Sequence, residues 1–502
     1  MILNFGSMFI VMPYLTSNSA IFGIYSLCMS LNIFIVYADL GFISAGQKYA
    51  AEYYAKDDTN SVHRVIGFSV FTLFIILILL AGLFTYLGLN PEKLINNLNE
   101  GYDTNVASSL LITLAIFTPL SVLQRWLQIL FAIRMEGYLV QRNNIIANLL
   151  KLLAVLWFFR SGKYDIVGYF IFSQAADFSA SIGTYVVAHY RYKLNFSEIL
   201  RSFRFSGEAF RKMKKLAMVV VYLNFCFILY YEFDALVIGR LFGAKQAGIY
   251  AIGLTILYFL RTVFGILFAP FSIKFNHYIG LGDSEGLKLY LMNIIVNLTP
   301  FIVIPIITLT IFTKPIILSW VGIGYSESIE ITQCLIFLYV FSFIFFPMSF
   351  LLNALERLKE LYLINTLLPL LYWILIAVTF SEIGLLSFAI SKVIVFAVSS
   401  VIYYSMMIKY LNISLIESVK KIISPIVPST IYTIIISNFL LEFMPVEKSN
   451  INLLITMTFI GLVLISSFIL MYIVSKDFKR SICKAYNLIG VNGQHNVDKS
   501  VT

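Results

Sequence analysis

Four basic residues stand deep inside long apolar runs of the chain: Arg125, Lys151, Arg261 and Lys392. Each lies roughly eight or more residues from the nearest end of its run, or about 12 Å at the rise of a helix. A cation at the centre of a bilayer costs about 2.5–3.5 kcal/mol on insertion scales, so it is kept where it faces a wet cavity or a partner. Such residues mark a transport path, and snorkelling to the interface or a structural ion pair is the competing account of each. Opposing them are Asp39 and Asp177, with Glu232 and Asp234 nearer the outer face. Cations predominate at mid-depth, which suits an anion. A diphosphate in particular needs several fixed donors to replace its hydration. Asp39, Asp177 and Asp234 fit either coupling to protons or Na⁺ or simple charge pairing with neighbouring cations.

Other chemistry finds little support. There is no GxxxxGK[ST] phosphate loop, and Gly280, Gly282 and Gly286 follow an apolar run, without the strand–turn–helix setting of a dinucleotide site. Cys28, Cys226 and Cys334 lie in apolar segments with no CxxC spacing, and His63, His189, His277 and His495 are scattered over loops, helix ends and the tail. Neither a disulfide framework nor a metal site is indicated. No catalytic residue, metal or cofactor is expected. The 31 tyrosines and 45 phenylalanines fit interfacial belts and lipid-facing surface.

The elements that must hold these charges follow from composition. Of 502 residues, 60% are hydrophobic and 12% charged, with a mean hydropathy of +0.87, far outside the range of soluble domains. Apolar stretches long enough to cross a bilayer recur from end to end. Lipid offers no partner to an open strand edge, so they must be helices. Spans are expected near 1–15, 20–46, 66–88, 107–132, 143–159, 166–190, 216–233, 249–271, 289–313, 329–355, 361–381, 383–408, 426–443 and 451–474. The fold class is all-α polytopic, with about fourteen spans. The first stretch lacks a basic region and a cleavage site and so is no signal peptide; it is short for a span, as if the first helix were incomplete.

Most of the 36 Lys and Arg residues fall in alternate loops and the tail, which places both termini in the cytoplasm. The excess of +10 therefore reports orientation and contact with anionic lipid, and gives no reason to invoke nucleic acid. Eight cations crowd residues 191–215. This basic linker reads as an anchor on the membrane surface rather than a substrate-gathering patch. It divides an N-terminal six-helix bundle (1–190) from a C-terminal one (216–408), followed by an additional helix pair (409–474) and a cytoplasmic tail (475–502).

The halves repeat. Gly23-Ile24-Tyr25 recurs as Gly248-Ile249-Tyr250 at an offset of 225, Asp58 and Asp283 share that offset, and Lys48 and Lys274 differ by 226. Matches at equivalent topological places imply a parallel repeat, two bundles rocking about a shared midplane cavity.

Phe22-Gly23-Ile24-Tyr25-Ser26, Asp39-Leu40-Gly41-Phe42 and Gln47 through Tyr54 in the first half, with Asp234, Gly243 through Tyr250, Pro270 and Gly282-Asp283 in the second, resemble Wzx-type polysaccharide (O-antigen) flippases. That family belongs to the superfamily of MATE multidrug exporters and lipid II flippases. The resemblance implies a flippase that moves undecaprenyl-pyrophosphate-linked oligosaccharide from the cytoplasmic to the periplasmic leaflet of the bacterial inner membrane by alternating access. Partners implied are that lipid-linked oligosaccharide, membrane lipids, a polysaccharide polymerase and a chain-length regulator. The last helix pair resembles the extra pair of lipid II flippases, associated with a groove for the lipid tail. Outward movement of two diphosphate charges would be assisted by an inside-negative potential, at about 2.3 kcal/mol per charge per 100 mV.

Two alternatives compete. A membrane polysaccharide polymerase should carry a large external loop with catalytic charges, whereas the longest one here, near 89–106, holds Lys93 as its only cation. A multidrug or cation antiporter needs acidic cavities for cationic substrates, against the Arg and Lys surplus.

Overall fold

The computed structural model describes residues 10–99, 101–160, 163–193, 202–475 and 478–480. Most of the expected first span, the stretch 194–201 of the basic linker, His495 and nearly all of the tail lie outside the described residues. The chain is all-α, and no strand occurs among the described residues. Packing separates two compact units, residues 1–251 and 252–502.

Unit 1 contains α1 (Ser19–Tyr37), α2 (Phe42–Tyr54), α3 (Thr59–Leu89), α4 (Tyr102–Ala132), α5 (Gly137–Phe158), α6 (Ile166–Tyr192), α7 (Gly207–Tyr231), α8 (Phe233–Phe242) and the first turns of α9 (Ala244–Gly280). The remainder of α9 belongs to unit 2. There it is followed by α10 (Ser284–Ile311), α11 (Thr313–Trp320), α12 (Ser328–Phe337), α13 (Ser342–Ala354), α14 (Leu358–Ile383), α15 (Leu386–Leu411), α16 (Leu415–Ser418), α17 (Val427–Leu441) and α18 (Asn450–Val474).

Among the described residues, 10 stretches of helix are long and apolar enough to cross a membrane, or 11 with the pair 415–423 and 427–441 that bends by 47°. The difference from fourteen has a physical source. Helices α5 and α6 are long enough at 22 and 27 residues, but α5 carries Arg142, Asn143, Asn144, Asn148 and Lys151, which dilute its hydropathy.

Two spans differ in shape from the plain helices expected. The one at 20–46 is broken: Leu40 and Gly41 take φ of 44° and 72°, the left-handed region that ends a helix. Asp39 then accepts the Ile43 amide at 3.1 Å and caps α2. The one expected from 216 starts at Gly207, because Ala209, Met213 and Ala217 recur every four residues and bury against Ala45, Phe68 and Ile129. Lys212, Lys214 and Lys215 thus ride on a helix.

The repeat is visible in the turns. Asp58 (φ −83°, ψ 76°) and Asp283 (φ −85°, ψ 81°) have nearly the same backbone. Each carboxylate accepts the amide three residues on, from Ser61 at 3.0 Å and Gly286 at 2.8 Å. Each follows a left-handed residue, Asp57 or Gly282, and each amide donates to a tyrosine carbonyl five residues back, Tyr53 or Tyr278, at 3.1 Å.

Candidate functional site

Three helices of unit 1 turn a polar stripe toward one another. On α4, Ser121, Gln124, Arg125 and Gln128 fall at spacings of three and four, which places them on one face. On α6, Gln174, Asp177 and Ser181 do the same, and α1 supplies Asn32. Together Asn32, Ser121, Gln124, Arg125, Gln174, Asp177 and Ser181, with apolar neighbours such as Phe117 and Phe178, line a cavity of about 260 Å³. Amides and hydroxyls outnumber charges there, so the wall both donates and accepts hydrogen bonds.

Arg125 is half-buried at this wall. It donates to the Val36 carbonyl at 3.4 Å and to Gln128 Oε1 at 3.3 Å, both long. No carboxylate lies within 4.0 Å of it among the described residues. A guanidinium has five N–H donors, so most of its bonding capacity faces the cavity. Asp39 attracts it electrostatically while being occupied in capping α2.

Asp177, on the opposite wall, is engaged differently. Lys151 of α5 donates to its Oδ1 at 2.5 Å, with side-chain exposures of 21% for Lys151 and 49% for Asp177. The pair is close to neutral, and α5 is further tied to α6 by Asn143 donating to Thr184 at 2.9 Å. Arg125 lines the cavity without an ion pair within 4.0 Å among the described residues.

Neither a family model nor a curated protein matches the sequence. Solved structures do match in fold. A lipid II flippase, MurJ, in an inward closed conformation superimposes with a TM-score of 0.66 at 12% identity, covering 94% of this chain and 99% of that one. An inward-facing multidrug resistance MATE family transporter of the MOP superfamily gives 0.62 at 12% identity, over 82% and 95%. A MATE in complex with MaL6 gives 0.52 at 11% identity.

The chain has the fold of these transporters. Identity this low carries the architecture alone, so the roles of side chains in this fold are read from its own contacts. The structure brings Arg125, Asp177 and Lys151 together, with Asp39 near Arg125. It sets Asp234 apart: that residue is fully buried on α8 and accepts the Tyr250 hydroxyl at 2.5 Å. Arg261 and Lys392 belong to unit 2. The Arg261 guanidinium lies 4.9 Å from the Tyr258 ring centre, and the Lys392 ammonium, 1% exposed, 5.6 Å from that of Tyr372. Both are cation–π contacts.

Asn32, Gln124, Gln174, Ser121 and Ser181 were not singled out by sequence. Their signal is faint but real: uncharged polar residues repeating at helical spacing inside apolar runs.

Proposed function

We propose that this protein is a flippase that carries undecaprenyl-pyrophosphate-linked oligosaccharide repeat units, of O-antigen or a similar surface polysaccharide, from the cytoplasmic to the periplasmic leaflet by alternating access. It works in the bacterial inner membrane with both termini in the cytoplasm. The 1–190 and 216–408 bundles form the moving halves, and a polymerase and a chain-length regulator act downstream.

The single observation that carries this reading is the half-buried Arg125, with donors to spare, beside amide and hydroxyl groups. A cation among neutral donors and acceptors fits a head group that joins a phosphate anion to many sugar hydroxyls. Arg261 and Lys392 are further cationic candidates, and Lys151 contributes through its pair with Asp177. Coupling to protons or Na⁺ would use Asp39, Asp177 or Asp234. Two further points support a lipid-linked cargo. The flippase match covers 94% of the chain and the MATE match 82%. An exporter of cationic drugs would want a free carboxylate, whereas Lys151 neutralises Asp177.

The test is the sidedness of lipid-linked oligosaccharide in spheroplasts, probed with an impermeant glycan-modifying enzyme. Deletion should strand single repeat units on the cytoplasmic leaflet. Equal external accessibility with and without the protein, in a strain lacking any redundant flippase, would refute the assignment.

A further inference from the structure

A second polar cavity lies away from the first, at the end of unit 1 where α3 and α7 begin. It has a volume of about 770 Å³ and is lined by Asn60, His63 and Arg64 from the first two turns of α3 and by Ser202, Arg204, Ser206 and Glu208 around the start of α7. Two features make it more than a dent in a charged surface.

The segment that closes it is pinned by apolar contacts. Phe203 packs edge-on against Phe71 and Phe74 of α3 at ring-centre distances of 5.5 and 5.6 Å. Phe205 meets Phe68 at 5.7 Å. Aromatic anchors on one side of a short stretch with arginine on the other is the arrangement of a chain lying in the head-group layer. Phe205 nevertheless keeps 63% of its surface exposed and Phe210 38%. Apolar surface left open beside cations favours a lipid over a soluble anion.

The charges are also unequally committed. Arg64 is paired with Glu208, a contact that ties α3 to α7. Arg204 makes no ion pair within 4.0 Å among the described residues, and its amide alone is anchored, to the Ser202 carbonyl at 2.9 Å. Ser206 caps α7 by accepting the Ala209 amide at 3.3 Å, so the positive end of α7 lies at the cavity. Arginine at such a place is suited to a phosphate by its planar fork of donors.

We propose that this cavity binds the phosphate of an anionic lipid of the leaflet it faces, with Arg204 and Arg64 as charged donors and Asn60 and Ser206 as neutral ones. The proposal stands independently of the cargo; only the name of the leaflet, cytoplasmic, rests on the orientation above. Glu208 opposes the lipid by competing for Arg64, and that gives the proposal a signature.

The full chain would be purified from vesicles containing phosphatidylglycerol and phosphatidylcholine, and retained lipid counted by native mass spectrometry. Wild type should keep phosphatidylglycerol in preference. Loss of one charged donor to phosphate should weaken retention about tenfold in Arg204→Gln, a change at an exposed side chain that leaves the Arg64–Glu208 tie intact. Glu208→Gln should strengthen retention, and Arg211→Gln, outside the cavity, should leave it as in wild type. Unchanged retention in Arg204→Gln would overturn the proposal, as would equal loss in Arg211→Gln, the mark of diffuse surface charge. Displacement of the lipid by millimolar inorganic phosphate would overturn the lipid assignment in favour of a soluble anion.

Discussion

Gly23 of α1 and Gly248 of α9 meet where their two helices cross, so closely that a Cβ placed on Gly23 would stand 1.7 Å from the Ala244 carbonyl oxygen, and one on Gly248 2.6 Å from that of Ser19. These are the first residues of the repeated Gly-Ile-Tyr motif. The repeat is therefore explained by contact: both copies need a residue without a side chain at one crossing.

A mid-helix glycine normally costs up to about 1 kcal/mol relative to alanine, so glycine-to-alanine changes tend to stabilise. At Gly23 the sign should reverse, because the methyl group meets backbone that cannot rotate away. Gly82 in α3, with nothing within 4 Å of a built Cβ, is the control. Thermal unfolding in detergent should show Gly23→Ala below wild type and Gly82→Ala at or above it. If Gly23→Ala is as stable as wild type, the crossing is looser than described.

Glu136, in the turn between α4 and α5, receives the Arg191 guanidinium at 2.8 and 2.5 Å and also the Tyr192 hydroxyl. These donors favour its charged form and push its carboxyl down to about 2 from an ordinary 4.5. A depressed carboxyl adds stability that is fully present above 4.5 and is lost as pH falls from there toward 2. Wild type should thus be more stable than Glu136→Gln at pH 7, with the gap closing between pH 4.5 and 2. A gap that stays constant down to pH 3 would mean that the charge on Glu136 contributes nothing.

How much of this was legible in the sequence depends on what each feature costs. Spans and embedded cations announce themselves because lipid penalises them heavily. The Asp58 and Asp283 caps were visible as a spacing, though not as matching turns. The break at Asp39-Leu40-Gly41 was hidden, since the apolar run continues through it and only backbone angles reveal it. Lys151 and Asp177 were each noticed but not paired. Lys151 lies seven residues before the end of α5 and Asp177 eleven after the start of α6, a mismatch of about one helical turn that the long lysine side chain spans, so counting along the chain did not join them. The amide lining stayed hidden because an isolated Asn or Gln in an apolar run carries little penalty.

The Lys151–Asp177 contact should be tested as a pair. Neutralising one partner leaves the other's charge half-buried, while removing both leaves neither. Lys151→Met and Asp177→Asn should each lower stability, and the double variant should recover about 1 kcal/mol of the summed loss, as expected for a partly exposed pair between membrane helices. Additive losses in the cycle would show that the pair does not form in the bilayer. If the double variant also transports normally, these residues serve the fold and not ion coupling.

The last expectation separates Arg125 from the other cations. Arg125 lines the polar cavity with no carboxylate within 4.0 Å among the described residues, whereas Lys151 is paired and Arg261 and Lys392 each lie against a tyrosine ring. If Arg125 grips a phosphate oxygen of the cargo, Arg125→Ala should abolish export of lipid-linked repeat units while the protein still inserts and melts near wild type. Arg125→Lys should recover export only in part, because an ammonium keeps the charge and loses the two-pronged donor geometry. Arg125→Gln should behave like alanine, since it restores a hydrogen bond without charge. Gln124→Ala and Gln174→Ala remove neutral contacts to the same head group and should slow export several-fold, within the 0.5–1.5 kcal/mol that a single uncharged hydrogen bond contributes. Export is read as surface glycan and as the fraction of lipid-linked units open to an external enzyme. Full activity in Arg125→Ala, with Arg261→Ala or Lys392→Ala inactive, would move the anion site out of unit 1 and leave this cavity without the role proposed for it.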